Sequence, residues 1–250
     1  LRAGWVVGNA GLLGAWLVIL LSFAITAFTG LSLSSITTNI RIGAGGAFSI
    51  ISQSLGLEVG GSVGIPLYLS QALAVAMYIF GFRAGWTWIF PAHPPLIVDF
   101  AAFALLFAIA FISAGFAFRI QYIIFAIILG SLVSVAISAF AGGMEHPVEW
   151  WGGFAGSLEN DFSGISFWAV FAVFFPASTG IMAGANMSGE LKDPRKSIPV
   201  GTLSAIGISL IIYLALAYWL ARAASTDELL RDYTVMVEKS YWGPAVVGGL

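Results

Sequence analysis

The residues best suited to chemistry lie in one apolar stretch that contains a proline and two glycines, Phe174–Asn186. Pro176 has no N–H group and its ring displaces the carbonyl four residues earlier, so a helix through this stretch is expected to break. Gly180 and Gly184 permit the unwinding. A break frees carbonyl oxygens on one side and N–H groups on the other, and Thr179 adds a hydroxyl oxygen. Such groups can hold a cation and an anion without charged side chains.

Two other interpretations of single features stay open on local chemistry alone. The stretch around Pro176 is equally well explained as a proline kink, with Gly180 and Gly184 allowing close helix packing. Tyr78 lies one turn before the end of a predicted membrane helix, where most tyrosines anchor the interface. Its phenol oxygen is also suited to a monovalent cation. The two histidines, His93 and His146, lie in separate proline-marked loops and predict no metal site.

The composition determines which elements must position these residues. Hydrophobic residues make up 59% of the chain and charged residues 9%, whereas a soluble domain has roughly a quarter charged residues. Long charge-free runs supply the roughly 20 apolar residues that cross a bilayer as a helix, whereas barrel strands alternate over about ten. The sequence therefore predicts an all-α polytopic membrane protein. The predicted spans are Gly14–Thr37, Val63–Phe82, Val98–Phe118, Gln121–Phe140, Phe167–Ser188 and Ile198–Ala221.

The segments between and beyond these spans carry three further predictions. Ala47–Leu57 lies between glycine clusters and is too short to span, which predicts a re-entrant or interfacial helix. The apolar ends, Leu1–Leu13 and Gly243–Leu250, suggest that the chain is a fragment of a longer protein. The basic cluster Lys192, Arg195 and Lys196 directly follows a predicted helix, so the positive-inside rule puts this loop in the cytoplasm.

The sequence also resembles a known family. Gly180–Pro199, preceded by Phe174-Phe175-Pro176, closely resembles the sixth helix and following loop of cation-chloride cotransporters. Ala74–Tyr78 is similar to the third helix of that family and Thr29–Ser32 to its second. The resemblance implies a LeuT-like fold of the amino acid-polyamine-organocation superfamily, with two inverted five-helix repeats and broken helices one and six. One transmembrane transporter domain would then cover 1–250, with a first repeat at 1–140 and the start of a second at 165–250.

The same resemblance implies the site residues and the function. Tyr78, the carbonyl of Pro176 and the hydroxyl of Thr179 would contact potassium, and the N–H groups of Gly180, Ile181 and Met182 would face chloride. The implied activity is electroneutral symport of chloride with potassium by alternating access, with sodium as an open third ion. A histidine replaces the tyrosine in the sodium-chloride branch, so Tyr78 favours potassium.

The implied setting is an integral membrane protein without enzymatic activity. Its expected partners are the lipid bilayer and inorganic ions, with no cofactor beyond K⁺, Cl⁻ and a candidate Na⁺, no nucleic acid, and a homodimer as a candidate assembly. Phe48-Ser49 replaces a tyrosine pair of the family, and the loop Ala141–Gly164 lacks its long cysteine-bearing insertion. Both departures suggest the plasma (inner) membrane of a prokaryote. The alternatives are an amino-acid permease of the same fold and a non-transporting membrane protein with a kinked helix.

Overall fold

The computed structural model describes residues 2–39, 45–112, 114–157, 162–186, 188–243 and 246, and this part of the chain is almost entirely helical. Six of its helical segments are long and apolar enough to span a membrane, which confirms the predicted class. The elements in chain order are α1 (Ala3–Asn39), α2 (Gly46–Leu55), α3 (Leu57–Ile89), α4 (Pro95–Ile112), α5 (Ala114–Phe140), β1 (Gly156–Ser157), β2 (Phe162–Ser163), α6 (Phe167–Phe174), α7 (Ala183–Asn186), α8 (Pro194–Ala223), α9 (Thr226–Arg231) and α10 (Val235–Glu238). β1 and β2 form a short antiparallel pair.

The first helix begins earlier than predicted and is kinked at Gly11, where φ is 68°. A loop from the middle of the chain binds the backbone groups that the kink frees: the N–H of Leu12 donates to the carbonyl of Glu149 at 2.9 Å, and the N–H of Gly152 donates to the carbonyl of Ala10 at 2.9 Å. A β-carbon at Gly11 would lie 2.6 Å from the nitrogen of Gly152. Residues 3–13 and the predicted helix Gly14–Thr37 are therefore two helical segments that meet at this kink, and the loop replaces the hydrogen bonds lost there.

The predicted boundary between the fourth and fifth helices is wrong. Arg119 lies inside α5, which covers Ala114–Phe140, and not between two helices. A single arginine does not end a helix, because its long unbranched side chain has a good helix propensity. The predicted spans Val63–Phe82 and Ile198–Ala221 lie inside the longer helices α3 and α8.

The buried core lies where α1 packs along α8 and α6. Gly30 on α1 permits close approach, since a β-carbon there would lie 2.8 Å from Cδ1 of Ile206 and 3.6 Å from Cγ2 of Thr202 on α8. Near the start of α1, Gly8 similarly faces Leu229 of α9. α3 packs mainly against α2 and α4, and α4 packs against α5. The α3–α5 region thus presents large apolar surfaces outside the main core, as expected for helices surrounded by lipid or by further membrane segments.

The two ends of the bundle differ. At one end, termed the capped end, the segments after α5 and α8 are joined: the hydroxyl of Ser138 donates to the carbonyl of Lys239 at 2.6 Å, and the guanidinium of Arg222 donates to the carbonyl of Met144 at 2.8 Å. At the opposite end, termed the α2 end, α2 approaches α7. A small buried cluster lies there, formed by Leu33, Ile50, Ala185 and Ile198.

Candidate functional site

The candidate site is built around an interrupted helix. α6 begins after Ser166, whose hydroxyl accepts a hydrogen bond from the N–H of Ala169 at 3.2 Å and so caps the first turn. The helix ends at Phe174, and a single 3-10 turn, Phe175–Ser178, carries Pro176 near its start. Helical structure resumes only at Ala183. The intervening residues therefore lie outside regular structure between two halves of one candidate membrane span.

On the amino-terminal side of the gap, Thr179 folds back onto Pro176. Its backbone N–H donates to the Pro176 carbonyl at 3.3 Å and its hydroxyl donates to the same oxygen at 2.6 Å. The single hydroxyl proton is used in this bond, so the lone pairs of the Thr179 oxygen are free to accept or to bind a cation. Two oxygens of the predicted cation site thus lie within hydrogen-bond distance of each other.

Within the gap, directly after Thr179, three successive backbone donors have no acceptor among the residues that the structure describes. They are the N–H groups of Gly180, Ile181 and Met182. Gly180 has a φ of 100°, a conformation that residues with a side chain rarely adopt. Successive N–H groups in such a turn form a concave site that is suited to an anion.

A cavity of about 330 Å³ lies between the gap and α8. Its described lining has no Asp, Glu, Lys, Arg or His, so its polar groups are neutral. They include the hydroxyls of Ser178, Thr179, Thr202 and Ser209. Thr202 is only 8% exposed, and its hydroxyl has no hydrogen-bond partner within the described part of the chain. The cavity therefore offers hydroxyl and backbone groups to a small solute.

The structure brings together only part of the predicted ion-binding set. Of the predicted ion ligands, Thr179, Gly180 and Ile181 line the cavity. Gly184, which was predicted only as part of the helix break, also lines it but lies within α7. Met182 packs against the buried cluster at the α2 end.

The remaining predicted ligands lie outside the cavity lining. Pro176 reaches the site through its bond to Thr179. Tyr78 lies on α3, is 66% exposed, and lines a different cavity of about 610 Å³ between α3 and α4. In this conformation Tyr78 therefore lines a different cavity from Thr179.

One residue beside the gap, Thr26, was not among the predicted site residues. Thr26 on α1 is 5% exposed, and its hydroxyl contacts the Ser178 carbonyl at 3.1 Å. Thr29 lies on the same helix, but among the described residues its hydroxyl bonds only the carbonyl of Ile25. No signal in one sequence separates these two threonines, because the difference depends on which helix packs against each.

An apolar helical bundle with one interrupted helix beside a cavity lined by neutral polar groups is typical of a membrane transporter. The chain belongs to the amino acid permease family, which it matches over residues 1–235. This match agrees with the predicted class of helical membrane protein.

The chain is also similar to several curated proteins. Solute carrier family 12 member 2 of Squalus acanthias is 38% identical over 232 residues, which cover 87% of this chain and 20% of that protein. Solute carrier family 12 member 3 of Mus musculus is 36% identical over 234 residues, covering 87% of this chain and 23% of that protein. Solute carrier family 12 member 9 of Mus musculus is 33% identical over 293 aligned positions, covering 100% of this chain and 32% of that protein. The chain thus spans between a fifth and a third of the length of these relatives.

Proposed function

We propose that the protein containing this chain is a secondary transporter that carries chloride together with potassium, in an electroneutral symport by alternating access. The observation that carries the proposal is the run of N–H groups at Gly180, Ile181 and Met182, which have no acceptor among the described residues, beside the oxygens of Pro176 and Thr179. N–H groups that can bind an anion and oxygens that can bind a cation thus lie next to each other at one helix gap. Ions of opposite sign bound there offset each other's charge, so that neither is expected to cross alone.

In the proposal, chloride binds to the three N–H groups. Gly180 is exposed and Ile181 and Met182 are half-buried, so chloride would replace water as the acceptor of these three N–H groups. The cavity has no charged side chain among its described lining residues, and the bound cation therefore supplies the main compensating charge. Chloride binding should accordingly strengthen when the cation is present.

Potassium in the proposal binds to the Pro176 carbonyl, the Thr179 hydroxyl and the phenol oxygen of Tyr78. When potassium binds, the hydrogen bond from the Thr179 hydroxyl to the Pro176 carbonyl is broken. The hydroxyl keeps its proton and rotates, so that a lone pair of its oxygen faces the cation. In the present conformation Tyr78 lines a different cavity from Thr179. We propose that α3 brings the phenol to the pair when the transporter closes around its ions. Sodium remains a candidate third ion.

The sequence relationships support an ionic substrate. The relatives named above belong to solute carrier family 12, whose cation-chloride cotransporters are the family that the Gly180–Pro199 motif resembles. The competing function is amino-acid transport, which the description of the wider family favours. In that case the N–H groups near Gly180 would hold a substrate carboxylate. The neutral oxygens of the cavity lining suit an ammonium group as well as an alkali cation, so the resemblance of the Gly180–Pro199 motif is what favours the ion pair.

Several further features belong to the proposal. The Lys192, Arg195 and Lys196 loop faces the cytoplasm, and the protein lies in the plasma (inner) membrane of a prokaryote. Residues 1–140 and 165–250 belong to two inverted repeats of a LeuT-like fold. The protein needs no cofactor beyond the transported ions, and a homodimer is its candidate assembly. The non-transporting alternative, a merely kinked helix, predicts that none of the site substitutions below changes a transport rate.

The test is rubidium uptake by the full-length protein in proteoliposomes, with and without external chloride. Uptake is expected to require chloride. Tyr78→Phe and Thr179→Val each remove one hydroxyl and should raise the half-saturating rubidium concentration about tenfold, equivalent to roughly 1.4 kcal/mol. Tyr68→Phe is the matched control, because Tyr68 is an exposed tyrosine of the same helix as Tyr78. Uptake that is indifferent to chloride, or that depends on an amino acid, would overturn the proposal.

A further inference from the structure

Thr26 joins α1 to the helix gap through one buried hydroxyl. The Thr26 oxygen lies 3.0 Å from the carbonyl of Ser22 in its own helix and 3.1 Å from the carbonyl of Ser178 across the interface. It also lies 3.4 Å from the hydroxyl of Ser178, which itself donates to the carbonyl of Phe175 at 2.9 Å. Thr26 and Ser178 are each 5% exposed. The single hydroxyl proton of Thr26 is thus shared between the Ser22 and Ser178 carbonyls, and no other donor from the described residues reaches the Ser178 carbonyl.

This contact acts on the peptide group that precedes the proposed cation ligand. The peptide between Ser178 and Thr179 is planar, so its carbonyl and its N–H point in opposite directions. Its carbonyl is held by Thr26, and its N–H donates to the carbonyl of Pro176 at 3.3 Å. Both ends of the peptide plane are thus fixed, one of them by a side chain of α1. The orientation of this plane determines where the Thr179 hydroxyl lies relative to the Pro176 carbonyl.

We infer that Thr26 is a positioning residue for the cation site: its hydroxyl fixes the Ser178–Thr179 peptide and thereby sets the arrangement of the Pro176 and Thr179 oxygens. This inference rests on the proposed function. Thr26 lies behind the gap, does not line the cavity, and is not itself a ligand. Its removal should weaken cation binding through the geometry of the ligands, with a smaller effect on the rate of the transport cycle.

The experiment measures chloride-dependent rubidium uptake at varied rubidium for three variants of the full-length protein. Thr26→Val keeps the shape of the side chain but removes the hydroxyl, and should raise the half-saturating rubidium concentration three- to tenfold, the range expected for one lost hydrogen bond. The maximal rate should change less than twofold. Thr26→Ser restores the hydroxyl and should bring the half-saturating concentration back to within about twofold of wild type.

Thr29→Val is the matched control. Thr29 lies three residues later on the same helix, and within the described part of the chain its hydroxyl bonds only the carbonyl of Ile25, at 2.9 Å. It should leave the half-saturating rubidium concentration unchanged. The thermal unfolding temperature of each variant is measured in parallel, because a merely structural role for Thr26 would lower that temperature and the yield without moving the half-saturating concentration.

The outcomes separate the inference from the function on which it rests. If wild-type uptake requires chloride but Thr26→Val has the wild-type half-saturating concentration, the inference is wrong and the proposed function stands. If Thr26→Ser fails to restore rubidium affinity, the hydroxyl is not the group responsible and the inference is also wrong. If wild-type uptake does not require chloride, the proposed function fails first and the inference falls with it.

Discussion

At Gly180 the backbone has a φ of 100°, in a region that L-residues with a β-carbon rarely occupy. This conformation turns the chain between Thr179 and α7 and leaves the N–H groups of the turn without acceptors among the described residues. The surroundings impose no further restriction, since no atom lies within 4 Å of the position that a β-carbon would take. At residue scale, the proposed chloride site therefore depends on one torsion angle and not on a side chain.

Gly180→Ala is expected to impair the site through backbone strain alone. Forcing alanine into this conformation costs about 1–2 kcal/mol, so the turn should relax and the half-saturating chloride concentration should rise about tenfold in the uptake assay. Gly207→Ala is the control: Gly207 lies in α8, away from the cavity, and a β-carbon there also meets no atom within 4 Å. An unchanged chloride affinity in Gly180→Ala would show that the turn does not bind the anion.

At the scale of elements, the α2 end is held by the close approach of α2 to α7. Gly46, at the start of α2, lies against Asn186 at the end of α7, and a β-carbon on it would lie 2.8 Å from the Cα of Asn186. Such a distance is too short for any real contact between carbon atoms. The approach joins the short helix predicted from Ala47–Leu57 to the second half of the interrupted helix.

Gly46→Ala should push these two helices apart and destabilise the α2 end. The added methyl group meets backbone, which cannot rotate away, and overpacking of this kind costs about 1–3 kcal/mol. The expected result is a lower thermal unfolding temperature of the detergent-solubilised protein. Gly61→Ala in α3 adds the same methyl group where no atom lies within 4 Å, and should leave the temperature unchanged. Equal unfolding temperatures for the two variants would contradict this packing.

At the capped end, the short helix α9 depends on the carboxylate of Glu228. The carboxylate accepts from the backbone N–H of Ser225 at 2.9 Å, and the ammonium of Lys239 lies 3.0 Å from it. The Ser225 backbone hydrogen bond, followed by that with Lys239, lowers the pKa of Glu228 from 4.5 to about 2. A carboxylate whose pKa is depressed on folding stabilises the fold above its ordinary pKa, and this stabilisation is lost as the pH falls.

Hydrogen exchange in α9 should therefore depend on pH in one direction. Protection factors of the amides at residues 226–231, which correct for the intrinsic rate, should be constant at neutral pH and fall as the pH drops from about 4.5 towards 2. Glu228→Gln should lower them at neutral pH and remove most of this dependence. Glu238→Gln is the control, because its carboxylate makes no hydrogen bond to another described residue. A wild-type profile that is flat over this pH range would refute the role of the cap.

At the scale of the whole molecule, contacts between distant segments place some loops at the capped end and others at the α2 end. The segments after α5 and α8 meet at the capped end, where the backbone N–H of Tyr241 also approaches the carbonyl of Ser134 at 3.4 Å. The segment before α8, which contains Lys192, lies by the buried cluster at the α2 end, through Leu191. If the helices span a membrane, these two ends face opposite sides of it.

Cysteine labelling tests which side each end faces. The chain has no cysteine, so after any cysteine elsewhere in the protein is replaced, Lys192→Cys and Glu145→Cys each introduce one exposed thiol. In intact cells a membrane-impermeant maleimide should label Glu145→Cys at the capped end but not Lys192→Cys, whose basic loop is proposed to be cytoplasmic. Lysed cells provide the control, in which both should react. The reverse pattern in intact cells would invert the proposed orientation.

The sequence by itself determined the features that follow from local chemistry. Long uncharged runs have to be membrane helices because hydrocarbon offers no partners to an open backbone. Pro176 cannot donate to a helix and its neighbouring glycines tolerate unusual torsions, so the residue types alone indicate where the helix is interrupted. The boundary between the fourth and fifth helices was predicted from a single charge, Arg119, without a turn signal. This prediction is wrong, because α5 continues through Arg119.

Only the tertiary structure decided which distant groups meet. The kink at Gly11 exists because the Glu149–Gly152 loop replaces its lost hydrogen bonds, and Thr26 differs from Thr29 only because Ser178 packs against it. The separation of Tyr78 from Thr179 likewise depends on how α3 packs, which no local rule determines. The physical reason is the range of the interactions: torsional preferences and hydropathy act within a few residues, whereas these contacts join segments more than a hundred residues apart in the sequence.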